Sequence, residues 1–485
     1  MSLRRKAALG VKWTGAGTAI TTGLRVLQFV VLARLLTPSD FGLMAMITVV
    51  IGFAQAFADM GISNAIIHRQ DNTRSQLSSL YWLNLLAGLS VFALVMAFSP
   101  LVVKFYGEPR LASLIPWAAL VFLVIPLGQQ FQALLQKELQ FDRLAKVEMA
   151  STGIGTVIAI SSAIFGQGVF SLIWGQLAEG STKALCLLRS SWAVWRPGLH
   201  LRWNDAKAYV AFGLYQMGER CLNYISANAD YLIIGRFLGP ETLGIYLLAY
   251  QLVTMPLARI NPILTRVAFP IFAKKQADNT ALRRGYLEMM KLLAHIVFPL
   301  LIGLATVAPV FVPVIFGVVW GPTIPLIQIL ALLGIIKTLI NPIGSILLAK
   351  GRPDIAFKWN ASGAVINTLV FWFFVRYGVR AVAWSWVGLS AVDCVVAVLI
   401  LSYLIGLDYR DHVGALLAPL ALSALMGTAV LVGYSFFSRF VTNKSILLAC
   451  LIAVGVGVYS SVALLRRNYL RELWMLLFNR REGFV

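Results

Sequence analysis

The chain has 485 residues, of which 59% are hydrophobic and 13% are charged, and its mean hydropathy is +0.80. Soluble domains carry about 25% charged residues, and a soluble chain of this length could not bury so much apolar surface. The composition therefore excludes an ordinary cytosolic enzyme, a secreted domain and a disordered chain, and it predicts an all-α polytopic membrane protein.

Apolar segments recur along the chain at lengths that suit a membrane helix, which needs about 20 residues. We predict fourteen such helices, and the longer ones are expected to tilt or to extend beyond the bilayer. Their approximate spans are 11–33, 41–60, 79–103, 111–136, 145–165, 168–189, 208–234, 242–272, 286–316, 323–348, 356–376, 380–405, 413–437 and 445–465.

The net charge is +21, which in a soluble protein would suggest nucleic acid as a partner. Here most Lys and Arg residues lie in short loops between apolar segments, where they act as topology signals. With the N-terminus placed in the cytoplasm, the cytoplasmic segments carry 26 Lys and Arg residues and the opposite side carries 8. This bias predicts that both termini are cytoplasmic, and no nucleic-acid partner is expected.

Two parts of the chain repeat one another. The segment at 31–45 matches the segment at 233–247 at an offset of 202, and Trp174 matches Trp384 at an offset of 210. The first match pairs Arg34 with Arg236, Pro38 with Pro240, and Gly42 with Gly244. Because each copy holds six helices, an even number, both copies have the same orientation, as in transporters with parallel repeats.

The repeat predicts four regions of the chain. Residues 1–200 form an N-lobe with the first six helices, and residues 201–406 form a C-lobe with the next six. Residues 407–466 hold the last two helices, and residues 467–485 form a basic amphipathic tail on the cytoplasmic membrane surface. Two such lobes around a central cavity that opens alternately to each side predict a transporter.

Ionisable side chains inside the predicted spans mark candidate functional positions, because a charge at membrane depth costs about 2.5–3.5 kcal/mol on insertion scales. Glu179 and Lys183 are four residues apart and can neutralise each other on one helix face. The excess of cations favours a cavity that binds an anion. Candidate substrate-binding cations are Arg25, Lys183, Arg220, Arg259, Arg266 and Lys337, and candidate ion-coupling carboxylates are Glu179, Glu219, Asp230 and Asp393.

Proline residues near these charges predict helix hinges, since proline removes a backbone hydrogen bond and bends a helix. The candidates are Pro256, Pro262 and Pro342. Polar and aromatic residues that could bind sugar are Asn84, Gln129, Gln132, Tyr215 and Asn223. The sequence contains no GxxxxGK[ST] loop, no HExxH motif and no zinc-ligand spacing, so we expect no enzyme activity, no cofactor and no metal site.

Several short motifs occur in an order and spacing typical of one family. They are Val31-Leu-Ala-Arg34 followed by Phe41-Gly42, Leu80-Tyr-Trp-Leu-Asn84, Gly128-Gln-Gln-Phe131, Asn261-Pro262 with Thr265-Arg266, and Asn341-Pro-Ile-Gly-Ser345 with Ala349-Lys350. Over nearly its whole length the chain resembles the bacterial polysaccharide flippases of the Wzx type, within the multidrug/oligosaccharidyl-lipid/polysaccharide exporter superfamily.

This resemblance implies a protein of the bacterial inner membrane that moves an undecaprenyl-diphosphate-linked oligosaccharide repeat unit from the cytoplasmic to the periplasmic leaflet, for exopolysaccharide or lipopolysaccharide biosynthesis. It implies membrane lipids, a polymerase and other glycan assembly proteins as partners. A diphosphate is an anion, and Arg and Lys are its natural partners. Arg266, Lys337, Arg259 and Lys183 fit the basic pattern of the family, whereas Arg25 and the Glu219-Arg220 pair lie outside it.

Three other functions remain open on the sequence. An ion-coupled multidrug or cation antiporter of the same superfamily would need unpaired carboxylates, but the candidates are six basic residues against four acidic ones. A scaffold for glycan synthesis would use the basic cytoplasmic loops and tail to recruit partners. An integral-membrane glycosyltransferase would need a sizeable extramembrane loop with a catalytic acidic motif, and the loops are too short.

Overall fold

The structure is a computed structural model that describes residues 3–58, 66, 73–192, 195–202, 221 and 223–465. Within these ranges, the side chains of residues 3–9, 11, 191, 262–267 and 462–465 are not described. The described residues form helices and no strands, and eleven of their helical spans are long and apolar enough to cross a membrane. This confirms the predicted all-α polytopic fold, whereas the count of fourteen membrane helices stays a prediction.

The described ranges contain fifteen α-helices. The first seven are α1 (Leu3–Leu35), α2 (Pro38–Ala58), α3 (Arg74–Tyr106), α4 (Leu111–Ala119), α5 (Val121–Lys137), α6 (Phe141–Ile164) and α7 (Phe170–Ser191). The next eight are α8 (Ala229–Lys274), α9 (Asn279–Ile315), α10 (Thr323–Ile340), α11 (Ile343–Ala349), α12 (Pro353–Phe374), α13 (Val379–Ile405), α14 (Tyr409–Phe437) and α15 (Lys444–Leu465). Short 3₁₀ helices at Val318–Trp320 and Val375–Tyr377 precede α10 and α13.

The chain forms two compact units, Met1–Gly244 and Ile245–Val485, and the boundary lies within α8. The backbone of α8 leaves helical geometry at Gly239, where φ is 80° and ψ is 176°. A positive φ of this kind suits glycine, which has no Cβ to clash with the backbone. The sequence predicts the end of one span at 234 and the start of the next at 242, and Gly239 lies between them.

Small residues let the helices of the first unit approach closely. A Cβ built on Gly155 of α6 would lie 2.9 Å from the carbonyl oxygen of Gly175 in α7. One built on Gly128 of α5 would lie 2.8 Å from Cα of Ala184 in α7. Membrane helices associate through such close packing because lipid tails are as apolar as leucine and the hydrophobic effect between helices is lost. These contacts fix α7 against both α5 and α6.

An aromatic cluster forms part of the core of the first unit. The rings of Tyr81 in α3 and Phe131 in α5 both pack on Trp195, which follows α7, with ring centroids 5.9 and 5.4 Å away. The indole nitrogen of Trp82 donates a hydrogen bond to the carbonyl oxygen of Gly198 at 2.8 Å. The segment after α7 is therefore held against α3 by both packing and hydrogen bonding.

The second unit packs around α9. A hydrophobic cluster joins Leu282, Tyr286, Met290 and Leu293 of α9 to Ile346 and Leu347 of α11 and to Leu401 of α13. Tyr286 stacks on His412 of α14 with ring centroids 6.1 Å apart. Farther along, a Cβ on Gly427 of α14 would lie 2.8 Å from the Ile302 side chain of α9. Helices α9 and α14 therefore run side by side in the same direction.

The two copies of the repeated motif contact each other directly, inside the first unit. A Cβ built on Gly42 would lie 1.7 Å from the carbonyl oxygen of Pro240, and a Cβ built on Gly244 would lie 1.8 Å from the carbonyl oxygen of Pro38. Both pairs are equivalent at the offset of 202, so the contact is reciprocal. Neither glycine can carry a side chain in this arrangement.

Replacing Gly42 with alanine is expected to destabilise the protein, because the added methyl group would meet a backbone carbonyl that cannot rotate away. Overpacking of this kind typically costs about 1–3 kcal/mol. The matched control is Gly153→Ala, because nothing lies within 4 Å of a Cβ at that position and alanine favours the helix. Thermal unfolding of both full-length variants in detergent gives the comparison, and equal melting temperatures would contradict the reciprocal contact.

Candidate functional site

A polar cavity of about 490 Å³ lies within the first unit. Its polar and charged lining residues are Arg25, Gln129, Gln132, Gln136, Gln176, Glu179 and Lys183. The helices around it are predicted to span the membrane, where amide and charged groups are costly unless water or a polar ligand solvates them. The cavity is therefore a candidate binding site for a polar ligand.

Two helices supply most of these groups because each places them on one face. Three residues of α5 recur at i, i+3 and i+7, and three residues of α7 recur with the same spacing, which puts each set on one side of its helix. The α5 set is Gln129, Gln132 and Gln136, and the α7 set is Gln176, Glu179 and Lys183. The close contact of Gly128 with Ala184 brings the two faces to one cavity. The sequence analysis missed Gln136 and Gln176, which this spacing could have indicated.

Arg25 of α1 and Glu179 of α7 form an ion pair at the cavity. The Nη2 of Arg25 donates to Oε1 of Glu179 at 2.6 Å, and the Thr152 hydroxyl donates to the same oxygen at 3.1 Å. The sequence suggested Lys183 as the partner of Glu179, whereas the structure pairs Glu179 with a residue 154 positions away. Among the described residues Lys183 has no ion-pair partner, so its charge is directed to whatever fills the cavity.

In the second unit, Lys337 of α10 lies on an aromatic stack. Its Nζ is 3.9 Å from the ring centroid of Trp386 in α13 and 5.9 Å from that of Tyr250 in α8. These two rings stack on each other, 5.3 Å apart with an interplanar angle of 11°. A cation on an aromatic face is stabilised by about 0.5–1 kcal/mol when exposed and about 2 kcal/mol when desolvated. The stack therefore positions the ammonium group, and the sequence analysis identified neither ring.

The other described candidates occupy different environments. The indole nitrogen of Trp359 donates a hydrogen bond to Oδ1 of Asp393 at 3.1 Å. Asp230 is 1% exposed, whereas Arg259 is exposed. Asn84 is 2% exposed. The cavity in the first unit thus collects only part of the predicted set, namely Arg25, Glu179, Lys183, Gln129 and Gln132.

Several predicted positions lie outside the described residues. These are Tyr215, Glu219, Arg220 and the tail at 467–485, together with the side chains of Pro262 and Arg266. Of the three predicted hinges, Pro342 lies between α10 and α11, where the helix is interrupted. The backbone of α8 stays helical at Pro256 and at residue 262, and its departure from helical geometry is at Gly239.

Residues 31–325 match the model of a family described as Polysaccharide biosynthesis protein. The chain is 38% identical over 464 residues to the teichuronic acid biosynthesis protein TuaB of Bacillus subtilis, with 94% of this chain and 95% of TuaB covered. It is 36% identical over 429 residues to the lipopolysaccharide biosynthesis protein WzxC of Escherichia coli, with 87% of this chain and 86% of WzxC covered.

Among solved structures, the lipid II flippase MurJ in an inward closed conformation is similar in fold, with a TM-score of 0.72 and 14% sequence identity. The similarity covers 95% of this chain and 100% of the MurJ chain. The family match includes more than half of the sequence, and the two relatives align along almost the whole chain. The chain therefore belongs to the polysaccharide biosynthesis protein family, as a multi-pass membrane protein.

Proposed function

We propose that this protein is a flippase that moves an undecaprenyl-diphosphate-linked oligosaccharide repeat unit from the cytoplasmic to the periplasmic leaflet of the bacterial inner membrane. The observation that carries the proposal is the cavity in the first unit, which combines four glutamine amides with Arg25, Glu179 and Lys183. The relatives named for teichuronic acid and lipopolysaccharide biosynthesis and the fold shared with a lipid II flippase support a lipid-linked glycan as the substrate.

The glutamines suit the glycan part of this substrate. A glutamine side chain presents both a carbonyl acceptor and an amide donor, and a sugar hydroxyl both donates and accepts. The cavity volume of about 490 Å³ lies in the range of about 300–1,000 Å³ that is typical of ligand sites. Amides can therefore replace the water around sugar hydroxyls as the glycan leaves the aqueous phase.

The cations suit the diphosphate or an anionic sugar. Lys183 reaches the cavity without an ion-pair partner among the described residues, and the aromatic stack orients Lys337. Charge-assisted hydrogen bonds from such groups to phosphate oxygens are about twice as strong as neutral ones. We include Arg259, Arg266 and Arg220 as further proposed contacts, on their sequence positions.

Transport by alternating access completes the proposal. We propose that residues 1–200 and 201–406 act as two lobes with parallel repeats, and that residues 407–466 add two helices. The helix interruptions at Gly239 and Pro342 supply points at which backbone can bend. The loop charges support cytoplasmic termini. We propose that the tail at 467–485 lies on the membrane surface. A polymerase and other glycan assembly proteins are the proposed partners there.

The carboxylates favour a flippase over a cation antiporter. Glu179 already accepts hydrogen bonds from Arg25 and Thr152, and Asp393 accepts one from Trp359. A cation substrate would have to displace these donors before it gained a charged partner. We keep Glu219 and Asp230, with Glu179 and Asp393, as proposed positions for a coupling ion.

Replacing Lys183 or Lys337 with glutamine is expected to reduce export, because a neutral amide cannot make the charge-assisted hydrogen bond. Such a bond contributes about 1.5–3 kcal/mol, which corresponds to roughly tenfold to a hundredfold weaker binding. The variants are expressed in cells that lack this protein but make the lipid-linked repeat unit. The measurements are surface polysaccharide and the amount of lipid-linked intermediate in the cytoplasmic leaflet.

The matched control for these variants is Lys358→Gln, which removes an equal charge from an exposed position on α12. Wild-type export by well-expressed Lys183→Gln and Lys337→Gln proteins would show that the two cations are structural. Normal export in cells without the protein would contradict the proposed flippase function. In that case, a pH-dependent dye efflux assay would test the antiporter.

Replacing Gln132 and Gln176 together with leucine is expected to weaken glycan recognition without a change in net charge. The purified double variant should lose the thermal stabilisation that a soluble fragment of the exported polysaccharide gives to the wild type. Gln167→Leu is the control, because Gln167 is exposed in the turn between α6 and α7. Equal stabilisation of the double variant and the control would contradict the role of the cavity amides.

Replacing Trp386 with leucine is expected to lower export by roughly twofold to thirtyfold, because Lys337 would lose a cation–π contact of about 0.5–2 kcal/mol. Trp386→Phe keeps an aromatic face and should retain most of the activity. In the Lys337→Gln background, Trp386→Leu should add little, since the cation is already absent. A loss of equal size in both backgrounds would show that Trp386 acts only through packing.

A further inference from the structure

A groove of about 510 Å³ opens between the first turns of α9 and α14 in the second unit. It is lined by Thr280, Arg283, Arg284, Leu287, Glu288, Lys291, Arg410, Asp411, Gly414 and Ala415. None of these residues belongs to the cavity of the first unit or to the aromatic stack of Lys337. The groove is therefore independent of the proposed function.

Helix packing gives the groove its shape. The stacking of Tyr286 on His412 sets α9 beside α14 just inside the groove. On α9, the lining positions 280, 284, 287 and 291 recur at i, i+4, i+7 and i+11, so they share one face. On α14, a Cβ at Gly414 would meet nothing within 4 Å. The absence of a side chain there leaves room for a ligand between the helices.

The groove carries an excess of positive charge. Its four cations are Arg283, Arg284, Lys291 and Arg410, against the carboxylates of Glu288 and Asp411. The Nη1 of Arg283 donates to the carbonyl oxygen of Gly406 at 3.2 Å, which holds this guanidinium at the wall. Arg284 and Arg410 are exposed. A recess with this balance attracts an anion, and guanidinium groups match the geometry of phosphate oxygens.

The charges lie where both helices enter the membrane. Beyond Lys291 in α9 and beyond Asp411 in α14, neither helix carries another Asp, Glu, Lys or Arg. Leu417, one turn after Gly414, is 59% exposed, and Leu420 is 45% exposed. The basic groove therefore continues into an exposed apolar strip, and the loop charges predict that this end of both helices is on the cytoplasmic side.

We propose that the groove binds an anionic phospholipid of the cytoplasmic leaflet, with its phosphate between Arg284 and Arg410 and its acyl chains along Leu417. Basic pockets between membrane helices on the cytoplasmic side bind such headgroups. The volume also suits a headgroup-sized ligand. A soluble anion would contact the cations alone, whereas a phospholipid also covers the exposed leucines.

The test uses the full-length purified protein in a mild non-ionic detergent, with bound lipids counted by native mass spectrometry. Phosphatidylglycerol is expected to bind more tightly than zwitterionic phosphatidylethanolamine. The variant Arg284→Gln/Arg410→Gln should bind phosphatidylglycerol roughly tenfold more weakly, because each cation near an anionic lipid contributes to affinity. The control Arg143→Gln/Lys274→Gln removes two exposed cations outside the groove, and it should bind as the wild type does.

Three outcomes would overturn the proposal. One is wild-type phosphatidylglycerol binding by the groove variant, and another is an equal loss in the control, which would indicate unspecific attraction to basic loops. The third concerns a soluble ligand: if inorganic phosphate without lipid stabilises the wild type but not the groove variant against thermal unfolding, the groove is a site for a free anion.

Discussion

Glycine residues let the helices of this protein approach one another to backbone contact. In lipid there is little hydrophobic gain from pairing two helices, so contact area has to come from short separations. At Gly128 the backbone of α7 occupies the space that a side chain of α5 would fill. Because nothing separates these helices, the polar faces beside that contact meet in one cavity. The candidate binding site is thus a consequence of helix packing as much as of polar sequence.

The cost of charge at membrane depth then accounts for the partners of the charged side chains at the candidate site. Arg25 and Thr152 both donate hydrogen bonds to Glu179. The Arg25–Glu179 ion pair joins α1 to α7, and it occupies a carboxylate that would otherwise attract other cations. Lys183 lines the same cavity and has no ion-pair partner among the described residues. Lys337 is held by ring faces, an attraction of about 0.5–2 kcal/mol. A charge-assisted hydrogen bond to a phosphate contributes about 1.5–3 kcal/mol, which is at least as strong as this ring contact.

The sequence predicts the features that depend on local composition and spacing. The all-α membrane fold, the family and the interruption near Gly239 follow from apolar runs, motifs and breakers within short windows. The Arg25–Glu179 pair could not be predicted, because its members are 154 positions apart and Lys183 offered a nearer partner. The stack of Tyr250, Trp386 and Lys337 draws on three helices, so no single segment reveals it. The i, i+3, i+7 spacing of the α5 glutamines could have been read from the sequence, but the sequence analysis names only Gln129 and Gln132 and not Gln136.

The two copies of the repeat share their backbone contacts but differ in the polar side chains at equivalent positions. Gly42 and Gly244 are equivalent, and each one meets the proline carbonyl of the other copy, so both positions have to stay glycine for the same steric reason. No such constraint applies to the cavity positions. Lys183 lies nine residues after Trp174, and Asp393 lies nine residues after the equivalent Trp384. Equivalent positions therefore carry opposite charges, one directed to a cavity and the other bonded to Trp359. The glycine contacts that position the helices are therefore the same in both copies, whereas the polar side chain at this position differs in charge and in partner.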